Sequence, residues 1–344
     1  QLTSSKWAIS SRGFNSLAAR YLLVFVDGIN VYSPTFGGVN WDEVDTLLDD
    51  IERIEIIRGP GATMWGADAV NGVINIITKN ARNTKGGIVA LGAGNYEEGF
   101  GSVRYGGKLG ENAAYRAYVK YFNRDSYHDP PGGDISDRWY AGRTGFRVDW
   151  DGGDEDSLTL QGDFYSGDAH ETLRRGFLYP PYNRIDTHTL SLSGGNILTR
   201  WNRIISDTSD MKLQLYYYRT VRDNIVYRDT LNRFDADFQH RFRLGTRHDI
   251  VWGLRYNFED QDLRSSPTVA FDPERRRLNL FAGFFQDEIV LVDDKLNLIL
   301  GAKVEHNHYT GFEIQPSGRL LWKPHPNHTW WAAVSRSVKT PNRI

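Results

Sequence analysis

Ile250-Val251-Trp252-Gly253-Leu254-Arg255-Tyr256-Asn257-Phe258-Glu259 is the stretch that decides the fold. Ile250, Trp252, Leu254, Tyr256 and Phe258 share one face, and Val251, Gly253, Arg255, Asn257 and Glu259 share the other. Period two places successive side chains on opposite faces of a strand, here one apolar and one largely polar. The pattern recurs on both sides. Phe234, Ala236, Phe238 and Phe242 oppose Asp235, Asp237, Gln239, Arg241 and Arg243. Leu296, Leu298, Leu300, Ala302 and Val304 oppose Asn297, Gly301, Lys303 and Glu305, and Leu158, Leu160 and Phe164 oppose Thr159, Gln161 and Asp163. About thirteen such runs follow Lys85, each long enough for the roughly 9–11 residues that cross a bilayer as a tilted strand.

The connections alternate in length. Short ones fall near Gly110, Gly152, Asp207, Gly245, Asp293 and Pro326. Mostly longer ones fall at Asp125–Asp137, Ser166–Asp186, Asp223–Leu231, Asp260–Arg275 and His306–Glu313. Short turns on one side and long loops on the other are the habit of outer-membrane barrels, whereas a soluble sandwich has no reason to keep that parity.

Composition agrees. Mean hydropathy is -0.51 and no run approaches 18 apolar residues, so a transmembrane helix is excluded while alternating strands are not. Net charge is -2, from 41 basic and 43 acidic residues, which argues against nucleic acid as a partner held by bulk charge. The absence of Cys removes disulfides, thiolate metal sites and Cys nucleophiles. Eighteen Tyr, 10 Trp and 34 Gly suit interfacial girdles and tight turns.

Residues 1–82 read differently, as a small mixed α/β segment ahead of the barrel strands of 83–344. Leu22–Val26 is a buried strand, Asp27-Gly28 a two-residue turn, and Ile29 to Tyr32 the returning strand. Asp42 is expected to cap an acidic helical turn over Glu43–Asp49. Ile51–Ile57 is a further strand, Ala62–Trp65 one helical turn, and Val73–Ile77 the last strand.

This segment resembles the plug of TonB-dependent outer-membrane receptors. The residues are Ser11-Arg12-Gly13-Phe14, Leu23–Tyr32, Ile51 through Arg58-Gly59-Pro60-Gly61-Ala62, and Trp65-Gly66-Ala67-Asp68-Ala69-Val70-Asn71-Gly72 through Lys79. Phe285–Ile289 and Ser335–Pro341 carry a weaker match in the barrel half. The resemblance implies an antiparallel transmembrane barrel with the plug in its lumen, in the bacterial outer membrane. It further implies active import of a ferric siderophore, cobalamin or similar metal chelate, energised by TonB. The partners are then TonB, outer-membrane lipid and a small chelate, with no intrinsic cofactor. The family's barrel has roughly 22 strands, so about thirteen strands, with no signal peptide at Gln1 and a stop just after a strand at Ile344, suggest a fragment.

The resemblance gives Arg12 and Arg58 the role of locking plug to barrel carboxylates; a solvated surface position is the alternative for each. Asp27, Gly28, Gly59, Pro60, Gly66, Asn71 and Gly72 form the plug's backbone motif, supplying turns and close packing. Tyr32, Phe36 and Trp41 near the plug apex are candidate ligand contacts. So are His170, Arg174, Arg175, Tyr179 and Tyr182 in the connection Ser166–Asp186, which combines planar donors for anionic oxygens with flat aromatic surfaces. His306 and His308, two apart, could share a metal but lack a third ligand, so no metal site is expected. With no nucleophile elbow or zincin motif, no catalytic residue is assigned. A passive porin and a secreted β-rich glycan hydrolase are the competing classes; the N-terminal segment speaks against the first. The alternation itself predicts that Leu158, Phe238, Trp252, Leu254 and Leu298 face lipid, and that Leu254→Arg harms assembly more than Arg255→Leu.

Overall fold

The computed structural model describes residues 3–10, 22–59, 65–66, 68–126 and 136–343. In the plug, β1 (Leu22–Val26) turns through Asp27-Gly28 into β2 (Ile29–Asn30), and β3 (Tyr32–Ser33) pairs with β4 (Gly38–Val39). β5 (Ile51–Arg58) and β6 (Gly72–Thr78) complete a sheet of order β2-β1-β6-β5. β1 and β6 run parallel, Leu22 opposite Gly72 and Val26 opposite Ile76. The unbroken apolar run of β1 fits that central position, buried on both faces.

The expected helical turn over Glu43–Asp49 is absent. Only Leu48–Asp50 forms a 3-10 turn, and Asp42 is drawn to a barrel arginine instead of capping a helix. Ala81–Asn83 is a second 3-10 turn. The turn expected at Ala62–Trp65 lies largely outside the described residues.

Thirteen antiparallel strands follow, each hydrogen-bonded to its sequence neighbours. They are β7 (Gly86–Gly92), β8 (Gly99–Leu109), β9 (Ala113–Arg124), β10 (Trp139–Asp151), β11 (Asp156–Gly176), β12 (Asn183–Ser206) and β13 (Ser209–Asp223). β14 (Arg228–Leu244), β15 (His248–Arg264), β16 (Arg275–Val292), β17 (Leu296–Asn307), β18 (Gly311–His325) and β19 (His328–Ser335) continue the sheet. Turns at 110–112, 152–155, 207–208, 245–247, 293–295 and 326–327 mark one rim, where the sequence places the short connections.

The connection Ser166–Asp186 is mostly strand, not loop. β11 and β12 stay paired from Asp156↔Arg203 to Gly176↔Asn183, leaving 177–182 as the tip. Strands of 21 and 24 residues extend roughly 70–80 Å, more than a hydrocarbon core of about 30 Å needs even with tilt. The hairpin therefore stands above the membrane. Beyond the plug contact at Glu171 both of its faces meet water, and the apolar alternation that marks a spanning strand disappears.

The two faces of the wall separate as the alternation requires. Leu158 and Leu254 are exposed, 38% and 58%, and Leu298 is half-buried. Phe238 and Trp252 cover each other edge-on at 5.5 Å. On the lumen face Gln261 and Gln315 are fully buried and Asp235 nearly so.

Candidate functional site

The plug's seat is built from its backbone upward. Asp27 (φ 51°) and Gly28 (φ 88°) make a left-handed turn that suits the twist of the β1–β2 hairpin. This leaves the carbonyls of Asp27 and Gly28 pointing at the wall. Arg200 donates to the Asp27 carbonyl at 2.5 Å, and Gln214 to that of Gly28 at 3.2 Å. The Asp27 carboxylate accepts from the Thr78 amide and hydroxyl, both at 2.8 Å, and from Gln161 Nε2 at 3.0 Å. Gly72 meets a different constraint, since a Cβ there would lie 2.4 Å from the Ile57 carbonyl oxygen of the paired strand.

Further cations line the wall around this seat. Arg104 and Arg116 reach the buried Asp50 at 3.4 and 3.2 Å. Lys120 pairs with Asp45 at 2.7 Å, and Arg233 donates to the carbonyls of Asn30 (2.5 Å) and Tyr32 (2.9 Å). Ile29 adds apolar contact, packing with Leu198, Tyr216, Tyr218 and Leu231. The plug thus meets the polar face of the strands, in the place the resemblance implied.

A second junction joins the plug to the segment after β19. Asp68 accepts from Lys339 Nζ and the Thr340 amide, both at 2.9 Å, and from the Thr340 hydroxyl at 2.8 Å. Its own amide donates to the Val338 carbonyl at 2.8 Å. The Ser335–Pro341 motif therefore folds back onto the plug motif that begins at Trp65.

The third junction is at the apex. Arg222, on the lumen face of β13, forms a bidentate pair with Asp42 at 2.8 and 3.0 Å and also holds Glu43 at 2.8 Å. Asn40 Nδ2 donates to Glu43 at 3.2 Å, and Arg143 donates to the Glu43 carbonyl. Burial pushes the Glu43 carboxyl from 4.5 up to about 7; Arg222 opposes the shift and Asp42 adds to it.

Beside this junction lies a cleft of about 380 Å³ shared by plug and wall. Trp7, Phe36, Trp41 and Tyr227 are among its lining groups, with Lys6, Asp42, Glu171 and Arg222 as its charged members. Glu171 projects from the β11 hairpin and pairs with Lys6 of the plug at 2.5 Å.

Of the sequence candidates, Phe36 and Trp41 line this cleft, whereas Tyr32 is buried under the Lys339 ammonium, 5.4 Å from its ring. The hairpin candidates sit apart. His170 meets the Ser136 hydroxyl at 3.4 Å and Arg174 is exposed on the same strand face. Arg175 pairs with Asp186 at 3.0 Å and lies over Phe177, and Tyr179 and Tyr182 are exposed at the tip. Arg58 ends β5, exposed, with no ion pair among the described residues; Arg12 and Pro60 lie outside them. Gly59 donates to the Asn71 carbonyl at 2.9 Å, and Gly66 faces Lys303. His306 packs on Phe312, while His308 lines a cavity with Tyr32, so the two do not converge.

Trp7, Lys6, Glu171, Tyr227 and Arg222 were not singled out from sequence. Arg222 was within reach, because Gln214, Tyr216, Tyr218, Thr220 and Arg222 share one parity on β13. Arg255 has a partner that alternation alone does not reveal. It pairs with the buried Asp235 at 2.8 Å, so replacing it would strand a carboxylate.

Residues 3–73 match the TonB-dependent Receptor Plug Domain, and residues 83–343 match the TonB dependent receptor-like, beta-barrel family. The vitamin B12 transporter BtuB of Vibrio vulnificus is 42% identical over 83 residues, covering 24% of this chain and 13% of that protein. An iron-regulated outer membrane virulence protein of Vibrio cholerae is 26% identical over 97% of this chain and 51% of its own length. A crystal structure of the ferric enterobactin receptor of Pseudomonas aeruginosa superposes with a TM-score of 0.73 at 19% identity, covering 94% of this chain and 55% of that one. The chain therefore spans about half the length of the virulence protein and of the receptor structure, and a smaller share of the vitamin B12 transporter. A plug seated in the polar lumen of outer-membrane strands, matched across nearly every residue, makes this chain a member of the TonB-dependent receptor family.

Proposed function

We propose that this chain serves TonB-coupled import of a metal chelate, a ferric siderophore or a cobalamin-like compound, across the outer membrane. The observation that carries the reading is the apex cleft, lined by both plug and barrel wall. A ligand bound there touches the fixed and the movable part at once. Asp42 and Arg222 line the cleft and also join plug to wall, so occupancy bears directly on that junction.

The seat suits movement. Its contacts are mostly arginine, lysine and amide groups on carbonyls and carboxylates, which water can replace as the plug shifts. A wholly apolar seat would expose hydrocarbon on each stroke. Pulling by TonB from the inner side would supply the work, and no nucleotide site is required of this chain.

The test is uptake of a radioiron-loaded chelate by cells making the full receptor, with and without TonB. Loss of uptake but retained surface binding in cells lacking TonB supports the reading. Uptake that continues without TonB would assign a passive channel.

A further inference from the structure

We infer that the apex cleft selects an electroneutral chelate with a broad apolar face and rejects a polyanionic one. This deepens the proposed import function and rests on it. The first argument is charge. Each cation lining the cleft already holds a carboxylate: Lys6 holds Glu171 at 2.5 Å, and Arg222 holds Asp42 at 2.8 Å. Glu43 adds a further acidic group on Arg222. Among the described lining residues two cations face two carboxylates, so the cleft offers an anionic ligand no net positive charge. The Glu171 side chain is 8% exposed and that of Asp42 is 3% exposed. Expelling either leaves a poorly solvated carboxylate without its partner.

The second argument is surface. Trp7, Phe36, Trp41 and Tyr227 supply ring faces and edges, and Leu173 and Val226 extend the apolar wall. Rings in this number bind an apolar face by area and by stacking. Polar orientation is left to a few uncharged groups. Asn40 and Asn224 line the cleft, and the buried Ser5 hydroxyl has no hydrogen-bond partner among the described residues. A neutral ligand offering one acceptor or donor would satisfy it.

The Lys6–Glu171 pair is the selecting element. It bridges the plug's first segment to the β11 hairpin. Neutralising Glu171 would free the Lys6 ammonium and turn that part of the cleft cationic.

The experiment is calorimetric titration of the purified full receptor with three probes: a neutral ferric trihydroxamate, neutral cyanocobalamin, and a trianionic ferric tris-catecholate. At least one neutral probe should bind about tenfold or more tighter than the tris-catecholate. Its affinity should change little between about 0.05 and about 0.5 M salt. Glu171→Gln should raise tris-catecholate affinity about tenfold and leave neutral binding within about twofold. Lys6→Met combined with Glu171→Gln should abolish that gain, which separates a charge effect from altered folding. Tris-catecholate binding as tight as the tighter of the two neutral probes would overturn the inference while leaving chelate import standing. An unchanged tris-catecholate affinity in Glu171→Gln would overturn the role of the pair. Failure of all three probes would overturn the chelate reading itself.

Discussion

The plug touches the barrel wall in two contrasting ways. At the seat, the Asp27-Gly28 turn is held by Arg200, Gln214 and Gln161 from three different strands, and Thr78 supports it from within the plug. At the apex, two adjacent carboxylates converge on one guanidinium, Arg222. The seat is redundant, and losing one donor leaves others. At Asp42 and Glu43 one guanidinium stands between two buried acids, so the strength of that contact is concentrated, while Thr35 a few residues earlier is held separately by Asp229 and Gln261. Attachment divided in this way keeps the plug in register while one end can let go.

The largest expected effect is at the apex. Arg222→Leu should weaken plug attachment by about 3–5 kcal/mol, because Asp42 and Glu43 are then buried without their partner. Urea unfolding of the full receptor, followed by a label on the plug, would measure it. A loss below about 1 kcal/mol would mean that Asn40 and Arg143 suffice.

The wall sharpens the contrast. Leu254→Arg should cost about 2–4 kcal/mol near the membrane midplane. Arg255→Leu, better tolerated on alternation alone, should now cost as much by leaving the buried Asp235 carboxylate without its cation, with only Asn257 still donating to it. Assembly in outer-membrane fractions would compare them, and normal assembly of Arg255→Leu would break the pairing argument.

The pH dependence of the apex comes next. Glu43 titrates at about 7 in the folded plug, against 4.5 ordinarily. Between those values the folded state binds more protons than the unfolded one, so this group makes stability fall as pH rises through the window. Glu43→Gln should lack that fall. Comparing wild type and variant at about pH 5 and about pH 8, the variant should gain by at most about 3 kcal/mol. Parallel curves would place Glu43 in ordinary solvent.

Arg200→Leu should have the smallest effect, about 1–2 kcal/mol by the same urea assay, since the rest of the seat remains. An effect equal to that of Arg222→Leu would erase the distinction between seat and apex.

The sequence made the wall legible because lipid and lumen impose opposite polarities on alternate residues, and Leu254 and Arg255 obey that rule. The Asp27-Gly28 turn was legible because its chemistry is local. The apex was not. Asp42 before a run of acids looks like a helix cap, and its true partner lies 180 residues away. The β11–β12 hairpin was read as a loop because strands standing in water carry no apolar alternation. Trp7 and Tyr227 gave no signal, since their meeting in one cleft depends on how the plug sits.

Hydrogen exchange on the full receptor, wild type against Arg222→Leu, tests the division between seat and apex most directly. The amides of Glu43 and Val44, bonded to the Asn40 and Trp41 carbonyls, should lose protection by about a hundredfold or more, while those at 22–35 and 72–79 stay within about threefold of wild type. Acceleration of both regions together, or of neither, would contradict a plug that is fixed at its seat and releasable at its apex.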